Sequence, residues 1–248
     1  MSNLSPPLDQ EGTPSAVNSR DAIWLCGLLQ AGDSFYPTGS YAHSFGLEGL
    51  VQVGVVSDRG TLRDFVFRSV LPALEHVELP IAIHAWGAFE TGNWIRVGEV
   101  CTLASALKTA REARLASDNI GRQRAELVAT LRQHPLSAEY LRRAAEQHWP
   151  FSSAVSAALE GQVLGAPVTA VLTGLVYANL AGVMSAAMKL LRLGQNAGQS
   201  LLTEGLLEAP RLMAAAQAVS MDQIGWFNPW LDIAAARHEV ADARMFIS

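Results

Sequence analysis

Residues 166–188 read APVTAVLTGLVYANLAGVMSAAM, 23 consecutive positions without a charged side chain, and what that stretch is decides the fold. By length alone it can span a bilayer. Its chemistry argues for a protein core instead. It is built largely from Ala, Gly, Thr, Val and Leu, carries Asn179 in its middle, and has no basic cluster on either flank to set a membrane topology. Small residues at Ala170, Gly174, Ala178, Ala181 and Gly182 let neighbouring helices come close. A helix apolar all round belongs either to a membrane or to the centre of a large domain, and the composition favours the second.

Outward from this segment the pattern stays helical. Leu62, Phe65, Val66, Val70 and Leu74 follow helical spacing, in a helix opened by Ser57-Asp58 or by Thr61 with Asp64 closing a capping box. An Ala-rich stretch covers Ile95 to Arg132, with Gly121 expected to interrupt it. Ser137 is placed to cap a helix after Pro135, and Pro167 can open the long apolar helix, which Gly194 stops. A short helix over Asp21–Gln30 buries Cys26, the glycines and proline of Gly32–Gly39 force a loop, and a further helix is expected from Ser40 to Gly54. Strand-like alternation is confined to Val51–Val56. The expectation is an all-α fold: one globular bundle of roughly ten helices around a central apolar helix. Residues 1–20, rich in Ser, Pro, Asn and Gln, read as a flexible arm without the apolar core of a signal peptide. Residues 21–224 form the helical body, and residues 225–248 are set apart by Trp226, Phe227 and Trp230 around Asn228-Pro229. Rings of this kind fit either an interface anchor or a last helix packed on its own domain.

Half of the residues are hydrophobic and 17% are charged, which a folded core requires. A formal charge of −5 supplies no basic face for nucleic acid. Cys26 and Cys101 are far apart and form no CxxC pair, as expected of reduced thiols in the cytoplasm. The only lysines, Lys108 and Lys189, follow no glycine, so there is no phosphate-binding loop. None of His43, His76, His84, His134, His148 and His238 has a second His or Cys at chelating spacing, although His238 beside Glu239 is suited to an exposed role. Around Ser44 no nucleophile elbow exists, since Ala42 stands where its first glycine would be. No catalytic, cofactor or metal site emerges. An all-helical enzyme whose residues converge only in three dimensions stays open as the alternative.

Three separated motifs carry a family resemblance. Asp33-Ser34-Phe35-Tyr36-Pro37-Thr38-Gly39 with Ser44-Phe45-Gly46-Leu47-Glu48 is similar to a D-S-x-x-P-x-G…S-x-G-L-E signature. Residues 188–199, MKLLRLGQNAGQ, resemble a K/R-L-x-x-L-G-Q-x-x-G-Q segment, with Arg192 standing where proline is common. Leu231-Asp232-Ile233-Ala234, Arg237-His238-Glu239 and Arg244-Met245-Phe246-Ile247-Ser248 resemble a closing L-D-I-A…R-H-E…R-L-F-x-S, and Ala116–Arg122 is a weaker match to A-S-x-x-x-G-R. In this order they resemble the UreF family of urease accessory proteins. The resemblance implies a non-enzymatic, all-helical homodimer without a cofactor. Its implied partners are a UreD-type (or UreH-type) accessory protein, the GTPase UreG and apo-urease, into which nickel is inserted. It further implies that Trp226, Phe227, Trp230, Ile233, Arg237, His238 and Glu239 meet the UreD-type partner. Lys189 and Gln195 would shape a surface near the dimer or GTPase contact.

Overall fold

A computed structural model describes residues 19–40, 43–238 and 244–246, with side chains described for 22–40, 43–234 and 244–246. The arm expected over residues 1–20 lies outside these, except that Ser19 and Arg20 already belong to the first helix, α1 (Ser19–Gly32). After it come α2 (Leu47–Gln52), α3 (Arg59–Phe65), α4 (Leu71–Ala73), α5 (Leu79–Glu90), α6 (Trp94–Ala106) and α7 (Arg111–Arg132). The remainder are α8 (Pro135–Gln147), α9 (Ser153–Leu164), α10 (Val168–Leu190), α11 (Gln195–Leu206), α12 (Ala209–Gln217) and α13 (Pro229–His238). Among the described residues there is no strand, and the all-α expectation is met.

The helix enclosed on every side is α9. Ala154 through Gly161 are all buried without a gap, and the helix packs against α1, α5, α7, α8 and α10. Its small side chains let those neighbours close in. A methyl group added to Gly161 would lie 2.2 Å from Val171 of α10 and 2.8 Å from Trp86 of α5, and one added to Gly121 of α7 would lie 2.6 Å from the Ser152 backbone. Across the second contact, Ser156 Oγ donates to the Gly121 carbonyl at 2.7 Å. The long apolar helix α10 packs against α1, α2, α5, α9, α11 and α12, but it is not buried all round: Thr173, Gly174, Tyr177 and Ala178 stay exposed. It is the one described helix long and apolar enough to cross a membrane, and half of its most apolar window is buried. Asn179, the polar residue in its middle, donates to the Leu175 carbonyl of its own helix at 2.9 Å.

A continuous rod runs from Arg59 to Glu90 through α3, α4 and α5, with a widened π turn at Val66–Val70 and another at Leu74–Glu78. Pro72 and Pro80 follow these turns at the second position. A proline has no N–H for the carbonyl four residues back and its ring presses on that carbonyl, so the wider turn relieves the clash without breaking the rod. For Pro80 that carbonyl belongs to His76, and it accepts the N–H of Gly225 at 3.1 Å. The rod's proline thus provides an attachment point for the start of the C-terminal segment.

Several local expectations are corrected. The helix expected over Ser40–Gly54 is only α2, because Phe45 (φ 55°) and Gly46 (φ 83°) are left-handed and stop helix growth before Leu47. Gly121 does not interrupt α7; the break falls at Leu107–Ala110, where Ala110 is extended. Asp58, with Thr61, forms the capping box that opens α3. Before Pro135 the cap is the ring of His134, whose Nδ1 accepts the Leu136 N–H at 3.1 Å, while Ser137 Oγ donates back to the His134 carbonyl. Gly194 is extended (φ −70°) and precedes α11; α10 has already ended at Leu190. Cys26 is exposed on α1, not buried, because α1 turns Gly27 toward Leu164 of α9 and leaves Cys26 outside.

The two kinds of glycine position make opposite predictions. Gly121→Ala forces a Cβ onto backbone and is expected to lower stability by about 1–3 kcal/mol. Gly87→Ala, inside α5 with nothing within 4 Å of the new methyl, is expected to raise it by up to about 1 kcal/mol. Urea unfolding of the two variants measures both.

Candidate functional site: the docked C-terminal segment

The three sequence motifs, distant along the chain, meet at the C-terminal segment. The loop after α1 is fastened first. Asp33 accepts the Phe35 N–H at 2.7 Å, which turns the chain sharply and leaves Phe35 93% exposed. Its neighbour Tyr36 points the other way, and its hydroxyl donates to Glu160 of α9 at 2.6 Å. Arg124 Nε of α7 lies 2.9 Å from the second Glu160 oxygen, and an Arg124 terminal nitrogen donates to the Ala31 carbonyl. Glu160 is 3% exposed, so this carboxylate is held inside the protein by a phenol and a guanidinium together. Burial and the adjacent Glu160 carboxylate push the Tyr36 hydroxyl's pKa up, which keeps it a proton donor.

Next along the chain, α2 receives the tail. The left-handed Gly46 leaves room for Leu231, whose side chain comes within 2.6 Å of where a Cβ would stand, and Gly49 leaves room for the Ala234 carbonyl at 2.7 Å. The sequence S-x-G-L-E needs its glycine twice here, for the turn and for the approach of α13. Asn228 starts α13: its Oδ1 accepts the Leu231 N–H at 3.2 Å, its Nδ2 donates to Ser69 Oγ of the rod, and Pro229 takes the first helical position. Thr109 donates to Asp232 at 2.7 Å from the start of α7. The end of the segment returns to the body. Arg244 pairs with Glu112 of α7 at 2.7 Å, and Glu48 of α2 accepts the N–H groups of Met245 and Phe246 at 2.7 and 3.0 Å. Phe246 is buried, with Lys189 Nζ of α10 5.2 Å from its ring centre. Beneath the segment a cavity of about 280 Å³ runs between α7, α10 and the rod, with Ser117, Asn179 and Trp226 among its lining residues.

The expected site residues are therefore not equivalent. Trp226 faces inward and lines the cavity. Phe227 is 81% exposed, Trp230 75%, and Ile233 48%, forming an apolar row on the outward side of α13 and its approach. Lys189 meets the segment at another point, over the ring of the buried Phe246. Gln195 opens α11 as an exposed residue, and none of the described contacts links it to the tail. Arg237 and His238 lie in the last turn of α13, but their side chains, like the whole of Glu239, lie outside the described residues. Sequence reasoning gave no role to Glu48, Glu112 or Arg244. Glu48 and Arg244 were marked only by membership in the motifs and Glu112 by nothing, since pairing across such separations leaves no periodic trace.

The chemistry is that of a fitted surface. Among the described residues no three His, Cys, Asp or Glu side chains gather as a metal site. Cys101 is buried beside the Tyr140 hydroxyl, and burial pushes its thiol up to about 12, leaving no thiolate at neutral pH. His43 is buried next to Glu112; burial pushes its pKa below the usual value, and Glu112 partly opposes this.

The fold defines an all-helical protein whose C-terminal segment is braced against the short helix α2 and the rod. A model of the UreF family matches residues 56–206, more than half of the chain. Similar proteins named urease accessory protein UreF occur in Bacillus sp. strain TB-90 (28% identical, covering 90% of this chain and 99% of that protein) and Methylibium petroleiphilum (30%, 92% and 95%). Another, from Arthrobacter sp. strain FB24, is 30% identical over 89% of this chain and 96% of its own. The chain belongs to the UreF family. It is accordingly an accessory protein of urease maturation, acting with urease and other accessory proteins, and not an enzyme.

Two outcomes follow from the braces. Tyr36→Phe leaves one buried Glu160 oxygen without its donor and is expected to cost about 1–3 kcal/mol, read from the urea midpoint. For His43 the folded pKa lies below the unfolded value of about 6.5. As pH falls through that value the unfolded chain takes up a proton that the folded chain resists, so the contribution is present above it and declines below it. Between about pH 7.5 and 5.5 the wild type is expected to lose more stability than His43→Gln.

Proposed function

We propose that this chain docks a UreD-type (UreH-type) accessory protein through residues 225–248, and that the pair recruits the GTPase UreG to apo-urease for nickel insertion. The observation that carries the reading is the row of Phe227, Trp230 and Ile233, large apolar side chains left exposed on a segment whose other side is fastened to the body. Exposed rings on a braced support are the usual source of interface affinity, because their immobilisation cost has already been met. Family membership supplies the class of partner. Arg237, His238 and Glu239 would take part in the same docking, while Lys189 and Gln195 would serve the dimer or GTPase contact. The protein works in the cytoplasm as a homodimer, and the exposed Ile23, Leu25 and Leu29 of α1 offer apolar area for the second copy.

Co-purification with the UreD-type and UreG homologues of the same organism tests this. The full chain is expected to capture both, and a form ending at Gly225 to lose the UreD-type protein. Phe227→Ala with Trp230→Ala is expected to weaken capture by about thirtyfold or more, the scale of an interface hot spot. A folded full-length chain that captures neither partner overturns the reading.

A further inference from the structure

We propose that the cavity between α7 and α8 is a separate docking site, which takes an arginine side chain borne by a protein partner in urease maturation. No residue lining it is among those that hold the C-terminal segment, and the proposal needs nothing from that segment. The cavity is about 550 Å³, within the range that encloses a ligand. Its walls are set by the stretch Ala116–Arg122, the weakest of the four motif matches. Gly121 lets the Ser152 backbone close onto α7, Asp118 accepts the Phe151 N–H at 2.7 Å, and Arg122 lies over the Phe151 ring, 4.5 Å from its centre. From the other side, His148 ends α8 in the left-handed conformation (φ 54°) and turns the chain back toward α7. Trp149 then seats its indole edge on Gly98 of α6, where an added methyl would lie 2.7 Å from it. The loop is held at Trp149, Phe151 and Ser152, so the cavity is formed without a ligand.

The choice of arginine follows from what is paired and what is not. Two arrangements beside the cavity join a ring, a carboxylate and a guanidinium. Arg122 covers Phe151 and pairs with Asp118 at 3.3 Å; Arg143 lies 4.9 Å from the centre of the Trp94 ring and pairs with Glu139 at 2.6 Å. Glu126 and Trp149 line the same cavity and have no such cation: the Glu126 carboxylate is exposed and has no partner among the described residues. With Arg122 already neutralised by Asp118, the rim keeps the negative charge of Glu126. The complementary group is a cation that can lie flat on a ring while its edge donates to a carboxylate, which a guanidinium does and an ammonium does not. Its methylene stem would rest on Leu141, Ala144 and Ala145 of α8.

Two measurements on the full chain test this. The first titrates the ¹⁵N-labelled protein with N-acetyl-arginine methylamide and follows the tryptophan indole signals, that of Trp149 being assigned by its loss in Trp149→Phe. A saturable shift of the Trp149 signal is expected, about tenfold weaker in Glu126→Gln, which keeps the shape of the side chain and removes its charge. The citrulline counterpart, equal in shape but uncharged, is expected to give no saturable shift, and the lysine counterpart to bind about threefold more weakly or worse. Because Glu126 is exposed and unpaired, the urea midpoint of Glu126→Gln is expected to stay at the wild-type value. The second measurement places a photo-crosslinking residue at Ala145 and mixes the chain with the purified UreD-type protein, UreG and apo-urease of the same organism. A crosslink to an arginine-bearing segment of one of them is expected, lost in Glu126→Gln and suppressed by the arginine amide. No shift at Trp149, or an equal shift with citrulline, overturns the site. Arginine amide binding without a crosslink to any of the three proteins overturns the protein-borne ligand and leaves a pocket for a free guanidinium compound. Capture through residues 225–248 is read separately, so failure of either docking surface leaves the other to be judged by itself.

Discussion

The fold depends on how closely other helices can approach α9. Twelve residues with mostly small side chains are surrounded by five helices, and two glycines mark the places where a single methyl group would not fit. Close approach is favourable for dispersion and unforgiving of added volume. Within this tight centre sits Glu160, a buried charge whose partners come from two different places, Tyr36 on the loop after α1 and Arg124 on α7. A buried carboxylate adds little net stability when well paired, but its requirement for both partners defines one arrangement of loop and helix. The loop that carries the N-terminal motif is in place because the centre needs it there.

Much of this was legible in the sequence. Helical periodicity over Leu62–Leu74 and the uncharged run from Ala166 to Met188 were sufficient for the fold class. The ranking of helices was not. An uninterrupted apolar run looks more central than a helix containing Ser156 and Glu160, yet α10 keeps an exposed face and α9 does not. Hydrophobicity measures how much a helix gains from burial, whereas side-chain size decides how many neighbours can share it. Boundary errors had a similar origin. Gly121 looked like a break in α7 but serves as a groove for Ser152, and Gly194 looked like a stop but lies in extended chain.

The site was legible in part. Aromatic density marked residues 226–230, but it could not separate the inward Trp226 from the outward Phe227 and Trp230, because in an irregular stretch neither period applies. The residues that hold the segment in place were hidden for another reason. Glu48 and Phe246 are 198 positions apart, and Glu112 and Arg244 are 132 apart. Each looks like an ordinary surface charge or a terminal ring until the chain closes. That the motifs at the two ends of the chain touch gives a physical account of their shared resemblance: they form opposite sides of one contact.

The proline at position 80 has a last consequence, for the order in which this surface comes into being. Because Pro80 has no N–H to give, the His76 carbonyl finds its partner in Gly225, a residue synthesised almost 150 positions later. The rod, the Glu48 helix and the Glu160 brace all lie ahead of the segment that completes them. During synthesis the receiving side is therefore made first, and the outward rings gain their support only once residues 225–234 have followed it. A chain broken off early would carry the body without the presented row. The surface is thus completed by the later part of the chain fitting onto the earlier part, and not by either part alone.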